Sequence, residues 1–278
     1  MSYKTILVYL NDNRRAEAIL EPAVSLAERN NAHLIGLHVY ATVPAPPVAV
    51  PYAADVVNAV AAAQQKETQE IAAVFSRMTA GRSLVAEWRA EKGPRVNPAS
   101  VVLEHSRAAD LIVTGQTDPD WEATPLVDIA EHLALGSGRP VLVVPYVGRY
   151  TTLGRNVAIA WKAGREASRA VFDALPLLKQ AEQVQILEIG ESGASRTGVA
   201  VDSSIAITLA RHGIKPSVRT SVAGEISIGD EILSRLADLG ADLLVMGAYG
   251  HSRMRELVFG GVTRHIARHM TVPTLLSH

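Results

Sequence analysis

Ala241-Asp-Leu-Leu-Val-Met-Gly247-Ala-Tyr-Gly250, followed after nine intervening residues by Gly260-Gly261-Val262-Thr263, is the stretch on which the reading of this chain turns. An apolar run enters a glycine-rich loop, and a second pair of glycines opens an arginine-rich segment with helical spacing. Glycine lets the main chain approach an anion closely, and a helix N-terminus offers unpaired N–H groups and the positive end of a dipole. A phosphate-bearing ligand, most simply a nucleotide, fits that chemistry.

Working outward, the same strand occurs twice. Ala109-Asp-Leu-Ile-Val-Thr-Gly115 matches Ala241 to Gly247, and each is followed by a Pro-led apolar run, Pro140 to Val144 and Pro273 to Leu276. Lys4-Thr-Ile-Leu-Val-Tyr-Leu10 likewise matches Arg155-Asn-Val-Ala-Ile-Ala-Trp161, each ahead of an amphipathic segment. Two copies of one domain, residues 1–147 and 154–278, joined across Gly148 to Gly154, account for the repeat, and a length of 278 residues suits two cores better than one. Strands are expected near 5–10, 33–40, 83–88, 110–115 and 140–145 in the first copy. Helices there are expected near 14–30, 54–80, 95–107 and 126–136. The second copy reads as strands near 155–161, 184–189, 217–222, 242–247 and 272–276, with helices near 164–180, 198–212, 226–240 and 260–269. Runs that are apolar throughout suit a parallel sheet covered on both faces, so the expected fold is α/β, two tandem doubly wound five-stranded domains. Ligands of such sheets sit beyond the carboxyl ends of the strands where strand order switches, which places the Gly247 loop at the site.

Composition removes several alternatives. Hydrophobic residues at 48% and charged residues at 20% exclude a disordered chain, and a formal charge of −1 supplies no overall field for nucleic acid or an anionic membrane. The absence of cysteine excludes disulfides, thiolate nucleophiles and Cys-based metal sites. The apolar run at the start is too short for a signal peptide, and Tyr40 to Ala54 is interrupted by Pro44, Pro46, Pro47 and Pro51, so a soluble cytoplasmic protein is expected.

The G-x-x-G loop, the nine-residue spacing to the next glycine and the duplication together resemble the universal stress protein family in its tandem form. The resemblance covers nearly the whole chain. It implies a fold related to other adenine-nucleotide-binding domains, often dimeric, with ATP, and magnesium alongside it, bound in some members. It implies a role as a sensor or regulator in the cytoplasmic stress response, no established reaction, and at most weak ATP hydrolysis. Gly247 and Gly250 would admit phosphates, Gly260 and Gly261 would donate backbone N–H groups, and Thr263 would add a hydroxyl. ATP-binding members carry Ser or Thr directly after the last motif glycine, where this chain has Gly261, and Asp at the end of the first strand, where it has Trp161-Lys162-Ala163. Lys162 can meet a phosphate but cannot accept hydrogen bonds as Asp would. Two other functions stay open on these residues: an interaction scaffold without nucleotide, and an enzyme acting on a small phosphorylated or acyl metabolite in the same cleft.

The first copy follows Gly115 with Gln-Thr-Asp-Pro-Asp-Trp-Glu, whose carboxylates would repel phosphate and whose Pro119 lacks an N–H. It is expected to hold no ATP of its own. Arg253, Arg255, Arg264 and Arg268 surround the second-copy glycines; Arg253 or Arg255 is a candidate for phosphate contact, against the alternative of a solvated helix face. His265 and His269 share a helix face that, alternating with Arg264 and Arg268, reads as an exposed surface, and no third metal ligand accompanies them; His251 reads as a solvent-facing loop residue. Trp161 can line a base pocket or pack in the core. Gly193 to Gly198 has P-loop spacing but Val199 stands where lysine is required; Gly136-Ser-Gly138 is no hydrolase elbow; and Asp230-Glu231 and Asp118, Asp120 have no companion base and read as solvated acids. No catalytic residue and no metal ligand is assigned. The closing strands, if they lie at sheet edges, would pair to form an internal pseudo-dimer, and residues 43–63 could serve a homodimer contact.

Overall fold

A computed structural model describes residues 2–41, 53–94, 97–118, 128–190, 203–250 and 261–278. The first copy runs β1 (Thr5–Tyr9), α1 (Asn13–Asn30), β2 (His33–Ala41), α2 (Ala53–Thr79), β3 (Val85–Gly93), α3 (Ala99–Ser106), β4 (Leu111–Gly115), α4 (Ile129–Gly136) and β5 (Val141–Val144). The second runs β6 (Asn156–Ala160), α5 (Arg165–Asp173), α6 (Leu175–Leu178), β7 (Gln183–Gly190), α7 (Ser203–Arg211), β8 (Ser217–Val222), α8 (Ile228–Asp238), β9 (Leu243–Gly247), α9 (Gly261–His269) and β10 (Thr274–Ser277). The expected helix over 164–180 is two pieces: α5 ends at Asp173, and Pro176 sits in the first turn of α6, where a missing N–H costs no helical bond. β3 continues to Gly93, beyond the expected end at 88, because it stays paired with β2 along its whole length.

All the strands form one ten-stranded sheet in the order β3-β2-β1-β4-β5-β10-β9-β6-β7-β8. Pairing is parallel within each copy and antiparallel at the centre, where Leu142 lies opposite Leu275, flanked by Val143 with Thr274 and Val141 with Leu276. Left unpaired, β5 and β10 would each present an apolar row of orphan N–H and C=O groups, and each covers the other. The true edges, β3 and β8, carry polar and charged residues, among them Glu87, Arg89, Glu91 and Lys92 on β3 and Arg219 on β8.

Strand side chains alternate between two cores, one on each face of the sheet, and both cores run through both copies. Ile6 and Val8 point into the core under α1, α2, α5, α6 and α7, whereas Leu7 and Tyr9 point into the core under α3, α4, α8 and α9. Val157 and Ile159 against Ala158, and Val245 against Leu244 and Met246, repeat that alternation in the second copy. Side chains also tie the copies together: the Tyr3 hydroxyl donates to the Asp173 carbonyl at 2.7 Å and the Tyr150 hydroxyl to the Thr271 carbonyl at 3.0 Å. No helix among the described residues is long and apolar enough to cross a membrane.

Candidate functional site

Strand order reverses between β1 and β4 in the first copy and between β6 and β9 in the second. At each reversal the following chain segments diverge to opposite faces and leave a crevice at the carboxyl ends. The two crevices differ sharply in size.

The second-copy crevice is a cavity of about 250 Å3, bounded by β6 and the residues after it, the first turn of α5, the end of β9 and the start of α9. Its inner wall is apolar, built from Leu187 and Ile189 of β7, Ile228 and Ile232 of α8, and Met246. Trp161 both packs in the core, 8% exposed, and lines this cavity. Lys162, Gly247, Gly250, Gly261 and Thr263 all line it, so those residues, far apart in sequence, meet at one place. Gly260 and Arg253 lie outside the described residues, as do His251, Arg255 and the Gly193 to Gly198 segment.

The glycines do different jobs. A Cβ on Gly247 would lie 2.5 Å from the Ala167 backbone nitrogen, so this position lets β9 and the first turn of α5 pack in contact. A Cβ on Gly261 would meet no atom of the described residues within 4 Å, so among them the start of α9 faces open space. Thr263 is 5% exposed, and its hydroxyl accepts the Tyr249 amide at 3.3 Å, fastening the loop after β9 to α9. Tyr249 itself adopts φ 56°, a left-handed backbone that a non-glycine residue rarely takes, within the glycine-marked turn. Burial, together with the Glu131 and Asp128 carboxylates of the first copy, pushes its phenol upward.

Sequence reasoning missed Glu166. It belongs to α5, its side chain is 16% exposed, and it lines the cavity. A Cβ on Gly250 would stand 3.2 Å from Glu166 Oε2, so this carboxylate stands beside the glycine loop. The only signal for it in the sequence is an acid in the first turn of an expected helix, which ordinarily answers the helix dipole alone.

The first-copy crevice measures about 20 Å3 among the described residues. A water molecule needs roughly 10–15 Å3, so this space is of the order of a single water. Asp12 caps α1 by accepting the Arg15 amide at 3.0 Å, and the Arg15 guanidinium donates to the Pro145 carbonyl. Gln116, the residue after β4, reaches into the other copy: its side-chain nitrogen donates to the carbonyls of Ala267 and Arg268 at 2.9 and 3.0 Å, and its oxygen accepts the Tyr146 amide at 3.0 Å. It thereby satisfies carbonyls in the last turn of α9 that have no partner within the helix. Pro119, Asp120 and Glu122 lie outside the described residues.

Two surface expectations need correction. Glu231 is not a solvated acid: it is buried and paired with Arg235 at 2.8 Å on the next turn of α8. His265 does not project freely from α9, because it packs on Gly229, where any Cβ would come within 2.5 Å of the ring, and its Nε2 faces Asp230 Oδ1 at 2.9 Å. The hydrogen bond from the Ser227 hydroxyl, and then His265, holds the Asp230 carboxyl below the usual range.

Comparison with known proteins agrees with this architecture. A curated relative, Universal stress protein Slr1230 of Synechocystis, is 30% identical over 95 residues; the match takes in 33% of this chain and 31% of that protein, so the chain spans about a third of its length. The crystal structure of a universal stress protein from Archaeoglobus fulgidus superposes with a TM-score of 0.68 at 17% identity, covering 98% of this chain and 95% of that one. A universal stress protein solved in complex with cAMP matches at 21% identity and a TM-score of 0.34, over 53% of this chain and 100% of that one. The sequence pattern of the Universal stress protein family matches residues 2–145 and again residues 166–278, and the chain therefore belongs to that family.

Proposed function

We propose that the chain is a tandem universal stress protein of the cytoplasmic stress response whose second domain, residues 154–278, binds an adenine nucleotide as a sensor or regulator, while the first, residues 1–147, carries no nucleotide. The observation that carries this reading is the contrast between a cavity of about 250 Å3 in the second copy and one of about 20 Å3 at the corresponding place in the first. ATP fits the chemistry of that cavity: an apolar wall with Trp161 suits a base and ribose face, and the glycine loop with Lys162 and Thr263 suits phosphates. Gly260 and Arg253 are assigned to the phosphate end from their place in the sequence motif.

Mass spectrometry of protein released into denaturant, with calorimetric titration of ATP into ligand-free protein, tests the reading. A co-purified adenine nucleotide, or saturable binding at one site per chain, is expected. An empty site with no titration heat would favour a scaffold, and an unrelated acyl or phosphorylated metabolite would favour an enzyme of that cleft.

A further inference from the structure

We propose that Glu166 makes nucleotide binding in the second-copy cavity conditional on a divalent cation that joins its carboxylate to the phosphates, an inference that rests on the nucleotide reading above. The carboxylate stands between the start of α5 and the glycine loop: Oε2 lies 3.8 Å from where a Cβ on Gly164 would be and 3.2 Å from where one on Gly250 would be. Phosphates cradled by that loop would lie beside a fixed negative charge. Arg165 Nε is 3.4 Å from Oε1, but the arginine side chain is 76% exposed, so solvent screens most of what it offers. Among the described residues lining the cavity Lys162 is the one cation, and even with Arg253 of the motif beside it two positive charges do not neutralise a triphosphate together with a carboxylate.

A hard divalent cation resolves the conflict. Magnesium keeps several waters and binds through one or two carboxylates plus substrate phosphates, which is the donor set that Glu166 and a nucleotide would together supply. Among the described residues no group of three or more His, Asp or Glu side chains could hold a metal, so the cation would arrive with the nucleotide and not before it.

Titration of ATP into the full-length protein in magnesium chloride and in EDTA, repeated with Glu166→Gln, tests this. Wild type is expected to bind at least about tenfold more tightly with magnesium, and Glu166→Gln to bind metal-free ATP about tenfold more tightly than wild type, so that most of the magnesium dependence disappears. Magnesium alone is expected to give no saturable heat with either protein. Equal wild-type affinity in both buffers, full magnesium dependence in Glu166→Gln, or tight binding of magnesium without nucleotide would each overturn the role of Glu166. Absence of ATP binding by both proteins in both buffers would instead remove the nucleotide reading itself.

Discussion

The two crevices begin from the same backbone and end with opposite contents. Leu10 and Trp161, one residue past β1 and β6, donate their amides to the matching strand, Leu37 and Leu187, each at 2.9 Å. Counting on equally from those two places puts Arg15 of α1 where the second copy has Glu166. In the first copy the helix is capped by Asp12 and the arginine bonds back to the Pro145 carbonyl, whereas α5 has only Gly164 at its cap, with no side-chain hydrogen bond. Past the fourth strand, Gln116 spans to α9, while its counterpart Ala248 has no side chain to span anything. At this place the first copy has fastenings, and the second has an opening.

That contrast can be broken by substitution. The largest effect is expected at Gly247→Ala, where the added methyl meets α5 backbone; overpacking against an immovable neighbour should cost about 3 kcal/mol, read as a lowered midpoint in urea. The equivalent Gly115→Ala meets only the Ile19 Cδ1 tip at 2.8 Å and should cost clearly less. Equal losses at the two glycines would show that the start of α5 can yield.

Gln116→Leu should follow, at about 2 kcal/mol, because it orphans the Ala267 and Arg268 carbonyls and the Tyr146 amide without opening the second-copy cavity. Denaturant unfolding should register the loss while ATP affinity stays at the wild-type value. A large drop in affinity would mean that the first copy shapes the second copy's site.

Gly261→Leu fills open space at the mouth of the cavity, so ATP affinity should fall at least about tenfold, near 1.4 kcal/mol, with thermal stability unchanged or slightly raised. Unaltered affinity would place the ligand elsewhere.

The smallest effect concerns pH. His38 of the first copy is buried, its Nδ1 donates to the Leu10 carbonyl at 2.7 Å, and desolvation holds the ring below its ordinary 6.5. A base whose folded value is depressed contributes stability when neutral, above the unfolded value, and loses that contribution as pH falls through 6.5 toward the folded value. His38→Asn keeps a donor near Nδ1 and should flatten the acid side of the stability curve below pH 6.5, by the smallest amount of this series. An unchanged slope would assign the acid sensitivity to carboxylates.

Much of this was legible in the residues because the signals are local and repeated. Alternation within Lys4 to Leu10, the twin Ala-Asp-Leu runs and the glycine spacing give strand positions, duplication and the place of the cleft. Helix ends were less so: Pro176 marks a break that the amphipathic period over 164–180 conceals. Glu231 and His265 were misread because burial of a charged or polar side chain depends on a partner from another turn or helix, and spacing alone does not name the partner.

What the sequence by itself determined is the class of each half and which half carries a glycine loop, since strand period, turn glycines and repeat length are encoded in neighbouring residues. Only the tertiary structure decided that the two halves share one sheet through Leu142 and Leu275, that Gly247 is spent on helix packing, and that Glu166 stands in the cavity. Those outcomes depend on groups brought together across eighty positions or more, or between copies, where no local pattern records which surfaces will meet.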